Sequence, residues 1–195
     1  MTKVYPNIAS EVQRPDSGRC EPKVLTVWKK SLLFNCTGFT VFDTKGNLVF
    51  RVDNYVAGNK GEIVLMDAAG KPLLTIRRKK LSLGVQWLVF NGEEAVNPRF
   101  SVKKHVRLLS SKSLAHVTPG REPKQVLYDV EGSFSRRCCK VYDDKRCPVA
   151  EIKCKEAVGG VTFGADVFRL VVEPQLDTTV AMSLVIMLDQ MFGPR

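Results

Sequence analysis

Three short segments concentrate the side chains best suited to hold a phosphate. Arg77-Arg78-Lys79-Lys80 closes an apolar run at a loop, and Arg136, Arg137 and Lys140 flank another turn. In Phe100-Ser101-Val102-Lys103-Lys104-His105-Val106-Arg107 a period of two sets Lys103, His105 and Arg107 on one face, opposite Phe100, Val102 and Val106, with Lys104 as the exception. Guanidinium and ammonium groups that converge can share one headgroup through several charge-assisted hydrogen bonds. These residues form the candidate ligand-binding set. A plainer role competes with it, because outer strand faces must meet water and lysine blocks unwanted edge pairing.

Nothing in the sequence assembles a catalytic centre. The two histidines are His105 and His116, no nucleophile-elbow or phosphate-loop pattern occurs, and no acidic pair is singled out by spacing. The expectation is a protein that is not an enzyme and carries no cofactor. Cys20, Cys36, Cys138, Cys139, Cys147 and Cys154 contain no Cys-x-x-Cys pair. Cys138 and Cys139 are neighbours in a strand pattern, so they point to opposite faces and do not share a metal. Free thiols in a reducing compartment are expected, with S-acylation of an exposed one as the lesser alternative.

Thirty Lys and Arg oppose twenty Asp and Glu over 195 residues, for a net charge of +10. That balance favours polyanionic partners: phosphoinositides, acidic membrane leaflets or nucleic acid. The first thirty residues lack a signal-peptide pattern and Thr2 excludes N-myristoylation. A cytoplasmic location is expected, peripheral at the plasma membrane or nuclear as variants, and not secreted. The Asn35-Cys36-Thr37 sequon then stays unmodified.

The elements that must position these residues are mostly strands. Residues 1–22, with Pro6, Pro15, Gly18 and Pro22, read as a flexible arm, and 23–195 as a single domain. Val41-Phe42-Asp43-Thr44-Lys45-Gly46-Asn47-Leu48-Val49-Phe50 is repeated at Val64 to Leu74 and again at Lys140 to Ala150, where Arg146 replaces the glycine. Each copy is a strand, an Asp-initiated turn and a returning strand. Further strands are expected at Val24 to Lys30, Leu48 to Asn54, Leu73 to Lys79, Val85 to Phe90, Arg99 to Leu109, Gln125 to Glu131, Val149 to Lys155 and Val167 to Glu173, while Leu109 to Pro119 reads as strand or loop. About twelve strands of this kind curl or close. The segment 176–191, introduced by Asp177 and stopped by Gly193-Pro194, is apolar on every side. It is shorter than the roughly 20 apolar residues that span a bilayer, so it reads as a core helix inside a closed antiparallel barrel.

Gly38-Phe39-Thr40-Val41-Phe42-Asp43, Leu65 to Leu74, Gly164-Ala165-Asp166-Val167-Phe168 and Val171-Val172-Glu173-Pro174 followed by Met182 to Gln190 closely resemble the plant LURP-one-related family over about Val24 to Gly193. The resemblance implies a tubby-like barrel of twelve strands around a hydrophobic C-terminal helix, shared with tubby C-terminal domains and phospholipid scramblases. It also implies phosphoinositide or membrane association, membrane tethering of a transcription regulator, and a role in plant defence. Arg146 and Ala165 are small departures from the family pattern.

The leading expectation is a non-enzymatic, monomeric module that binds phosphoinositides or an anionic membrane surface in signalling. A scaffold for protein partners, or a nucleic-acid-binding regulator, are the alternatives. Direct nucleic-acid contact is disfavoured by the lack of a recognition helix. Lipid scrambling is the least supported, because the long apolar segment is committed to the core.

Overall fold

The computed structural model describes residues 21–34, 36–55, 61–80, 84–93, 96–105, 112–120, 125–156 and 164–193, apart from the side chains of Asn54 and Tyr55. The expected arm at 1–22 therefore lies almost wholly outside the described residues. Twelve strands and one helix follow in order: β1 (Lys23–Trp28), β2 (Cys36–Phe42), β3 (Leu48–Tyr55), β4 (Glu62–Asp67), β5 (Pro72–Arg78), β6 (Gln86–Asn91), β7 (Phe100–Lys104), β8 (Ser113–Pro119), β9 (Tyr128–Ser133), β10 (Cys138–Asp143), β11 (Pro148–Cys154), β12 (Val167–Val172) and α1 (Thr178–Phe192). Each strand pairs antiparallel with its sequence neighbours, and β1 pairs with β12 from Lys23↔Val172 to Trp28↔Val167, which closes the barrel. Closure leaves no edge exposed for pairing with another chain. Among the described residues the β3–β4 ladder is the shortest, with Phe50↔Asp67 and Arg51↔Met66.

The repeated hairpins share one turn geometry. Asp43, Asp67 and Asp143 each donate their backbone N–H to the carbonyl four residues on, and their side chains accept from Asn47, Lys71 and Cys147 N–H in return. The residue three positions after each Asp has a left-handed backbone: Gly46 at φ 85°, Gly70 at φ 88° and Arg146 at φ 63°. A register shift sits just before each of these turns, at Val41/Phe42, Leu65/Met66 and Val141/Tyr142. A left-handed arginine is disfavoured where glycine is at ease. Arg146 offsets this by pairing with Glu131 at 2.8 Å and Asp129 at 3.2 Å and by lying over the Tyr142 ring.

Alternation buries one face of every strand around α1. Val180 to Leu188 and Met191 are all buried, including Ser183, whose hydroxyl donates to the Val180 carbonyl at 2.6 Å. Filling the interior with a helix apolar all round removes the need for large side chains on the strands. Asp177 caps the start by accepting the Thr179 N–H at 2.7 Å, so the helix begins at Thr178 and the buried Leu176 stays in the preceding turn. No basic residue occupies the last helical turn. Cations reach it from the barrel instead: Lys104 Nζ donates to the Met191 carbonyl at 3.0 Å and sits 4.4 Å from the Phe192 ring centre, and Lys29 pairs with Asp189 at 3.0 Å. Positive charge at a helix C-terminus complements its dipole.

Two sequence expectations are resolved here. Residues 113–119 form a strand, β8, and of the strand expected from Arg99 to Leu109 β7 covers Phe100–Lys104, while 106–109 lie outside the described residues. Among the described residues no helix is long and apolar enough to cross a membrane.

Candidate functional site: the basic end of the barrel

Antiparallel order sends the connections alternately to opposite ends. The three Asp turns lie at one end. The other end, where α1 finishes, carries the β1–β2, β3–β4, β5–β6, β7–β8, β9–β10 and β11–β12 connections. The basic residues at 77–80, 103–104 and 136–137 come from separate parts of the chain and all lie at that end. β5 and β7 are two strands apart, so their ends are separated by roughly 10 Å at ordinary strand spacing.

The individual residues divide sharply. Arg78, Lys79, Lys80, Lys103 and Arg136 are exposed and have no ion-pair partner among the described residues. Arg77 is engaged, pairing with Glu62 at 2.7 Å and lying over the Phe90 ring. Lys140 lies back on the wall, 3.9 Å from Glu151 and opposite Glu131, which takes it out of the cluster.

Arg137 corrects the sequence expectation. It is 5% exposed, its Nε donates to the Ala165 carbonyl at 2.8 Å, and its guanidinium lies 4.3 Å and 4.1 Å from the Phe134 and Phe168 ring centres. Burial lowers its pKa, while the carboxylates of Asp189 and Asp166 act in the opposite direction. Its backbone is left-handed at φ 50°. Adjacent arginines thus do different work: Arg136 faces solvent, and Arg137 is packed into the barrel against Phe134 and Phe168.

The expected ladder of Lys103, His105 and Arg107 is only partly realised. Lys103 faces outward opposite His116. His105 packs its ring against His116 with centres 5.0 Å apart, and its Nδ1 is buried without a hydrogen-bond partner among the described residues. Arg107 lies outside the described residues. Lys104 obeys the period of two after all, since it points inward with Phe100 and Val102 because the end of α1 holds its ammonium group. Next to this row, His116 and Ser113 approach Asp129 at 3.2 Å and 2.7 Å, and Arg146 joins the same carboxylate.

Sequence reasoning missed the β1–β2 connection. Lys30 is exposed, with its Nζ 5.0 Å from the Trp28 ring centre, and Lys112 opens β8 as another exposed cation. Three carboxylates at this end are taken, Asp189 by Lys29, Glu62 by Arg77, and Asp53 by Arg51 and Ser31, while Asp166 in the β11–β12 connection is exposed with no ion pair among the described residues. The signal for this connection was present in Trp28-Lys29-Lys30-Ser31-Leu32-Leu33-Phe34, whose first half was absorbed into a strand.

Elsewhere, a groove of about 520 Å³ is lined by Glu21, Lys23, Glu173 and Asp177 among others, and one of about 480 Å³ flanks the Asp43 turn beside Arg169 and Lys155. The converging cations line neither. Cys138 is exposed and Cys139 buried, as their adjacency in a strand requires, and burial pushes the Cys139 thiol up to about 12. Among the described residues no three His, Cys, Asp or Glu side chains are grouped to hold a metal.

Comparison with known proteins places the whole barrel in one group. The profile of the LURP-one-related family matches residues 23–189. Protein LURP-one-related 8 of Arabidopsis thaliana is 53% identical over 199 residues, covering 98% of each chain. Protein LURP-one-related 17 of the same plant is 43% identical over 183 residues, covering 87% of this chain and 83% of its own. An X-ray structure of an Arabidopsis thaliana protein superposes with a TM-score of 0.65 at 26% identity, over 87% of this chain and 91% of that one. With its strands, central helix and sequence all in agreement, the chain belongs to the LURP-one-related family.

Proposed function

We propose that this protein is a non-enzymatic signalling module that binds phosphoinositides or other anionic headgroups at a membrane surface through the basic end of its barrel. The observation that carries this is the gathering of Lys30, Arg78, Lys79, Lys80, Lys103 and Arg136 at one end, where Asp189, Glu62 and Asp53 are already paired. An anionic surface satisfies several such cations together, each contributing about 1 kcal/mol near the bilayer. The resemblance to tubby-like proteins supports the same reading. A peripheral cytoplasmic or nuclear placement and a part in plant defence extend it.

The test is co-sedimentation with vesicles of phosphatidylcholine alone, or mixed with phosphatidylserine or phosphatidylinositol bisphosphate, over a salt series. Replacing Arg78, Lys79 and Lys80 by Gln is expected to weaken binding to anionic vesicles by roughly tenfold to a hundredfold. No binding above the phosphatidylcholine background at physiological salt overturns the proposal.

A further inference from the structure

We infer that Leu32, Leu33 and Phe34, at the tip of the β1–β2 connection, insert into the acyl–headgroup boundary of an anionic bilayer. The inference rests on the membrane-surface reading above and adds an apolar anchor to it. Phe34 is 97% exposed, Leu32 50% and Leu33 40%, with Trp28 at 38% at the base of the same connection. Isolated exposed apolar residues are ordinary, but three in succession beside an exposed Trp are an exposed apolar patch that marks an interaction site.

The backbone beneath the tip is held in place. Ser31 is buried; its hydroxyl donates to Asp53 on β3 and accepts the Leu33 N–H at 3.0 Å. Arg51 fixes the same Asp53 carboxylate at 2.6 Å. On the rising side, the Lys30 carbonyl accepts from the Thr40 hydroxyl at 2.6 Å and the Lys29 N–H donates to the Asp166 carbonyl at 2.7 Å. Ser31 faces the barrel while its apolar neighbours Leu32, Leu33 and Phe34 face away, the reverse of what a solvated loop requires.

Charge identifies the occupant. Lys30 stands directly behind the tip, and the unpaired cations of the barrel's basic end are spread around the same rim, from the β5–β6 connection through β7 to the β9–β10 connection. A neutral apolar partner would have no use for that collar. An anionic leaflet has both parts, with phosphates at the level of the lysines and hydrocarbon beyond, and Trp at the junction matches the interfacial preference of indole.

The two tryptophans supply the probe. Trp28 is exposed near the tip, while Trp87 is 3% exposed. Vesicles of phosphatidylcholine and phosphatidylserine with brominated acyl chains are expected to quench Trp28 on binding and leave Trp87 emitting. Leu33→Ala/Phe34→Ala, with unchanged melting temperature, is expected to lose about tenfold or more in vesicle affinity and to abolish quenching. Binding that is unaffected in this variant and never quenched overturns insertion while leaving the electrostatic surface reading intact. Absence of wild-type vesicle binding overturns both. Concentration-dependent self-association without lipid, lost in Phe34→Ala, assigns the tip to a second copy of the chain and also overturns insertion.

Discussion

The two ends of the barrel are built on opposite plans. At one end, three hairpins reverse within a few residues, each with an aspartate that uses its carboxylate to satisfy its own turn. At the other, cations from separate strands divide into an inner set, Lys29 and Lys104 on the end of α1 and Arg137 on the β11–β12 connection, and an outer set that faces solvent. Charge that is consumed locally stabilises a turn; charge left unpaired beside neutralised acids is available to a partner. Net charge alone could not distinguish these uses.

The most damaging test removes what both ends share. Ile186→Asp is expected to abolish folding, because a buried unpaired charge costs several kcal/mol; circular dichroism and the melting curve read it, and a folded variant would refute the central position of α1. The next divides the basic end. Arg137→Ala is expected to cost about 2–4 kcal/mol in denaturant unfolding, since it empties the space between Phe134 and Phe168 and unmakes a buried hydrogen bond. Arg136→Ala is expected to leave stability unchanged and weaken vesicle binding. Equal effects at the two positions would erase the inner and outer distinction.

Smaller effects sharpen the contrast. Lys104→Met is expected to cost about 1 kcal/mol, through loss of its charge at the helix C-terminus. At the opposite end Asp177→Ala is expected to cost about 1 kcal/mol and Asp177→Asn much less, because Asn caps almost as well. Burial pushes the Asp177 pKa up, but the Thr179 hydrogen bonds and the nearby Arg99 outweigh it, so the folded value lies below the unfolded one. Its contribution is therefore present above the unfolded pKa of about 3.9 and lost as pH falls through the folded value. Acid titration of the Asn variant is expected to lack that part of the decline. Neither substitution at 177 is expected to change vesicle binding.

Much of the fold was legible because its signals are local. The Asp turns, their glycines, the capped apolar helix and the alternating strands each announce themselves within about ten residues. Arg146 could be recognised as a departure, but its compensation by Asp129, Glu131 and Tyr142 depends on strand register. The site was less legible for the same reason. Arg136 and Arg137 are alike in sequence, and only the barrel wall places one against Phe134 and Phe168. Lys104 seemed to break its face because its target, the end of α1, lies far along the chain. The exposed tip at Leu32 to Phe34 was hidden in an apolar run, where composition favours burial and only three-dimensional placement shows exposure.

Closure of β1 onto β12, with the filling supplied by a helix that follows both, has a kinetic consequence. No inward face of the barrel can be buried fully until α1 has been synthesised. The nascent strands must wait with apolar faces exposed, and the first strand must hold its place for the last. Non-local pairing of this kind makes folding slow and exposes intermediates to aggregation. Early strands that pair only with their neighbours, and tight aspartate turns that form without distant help, keep the chain in order during that interval.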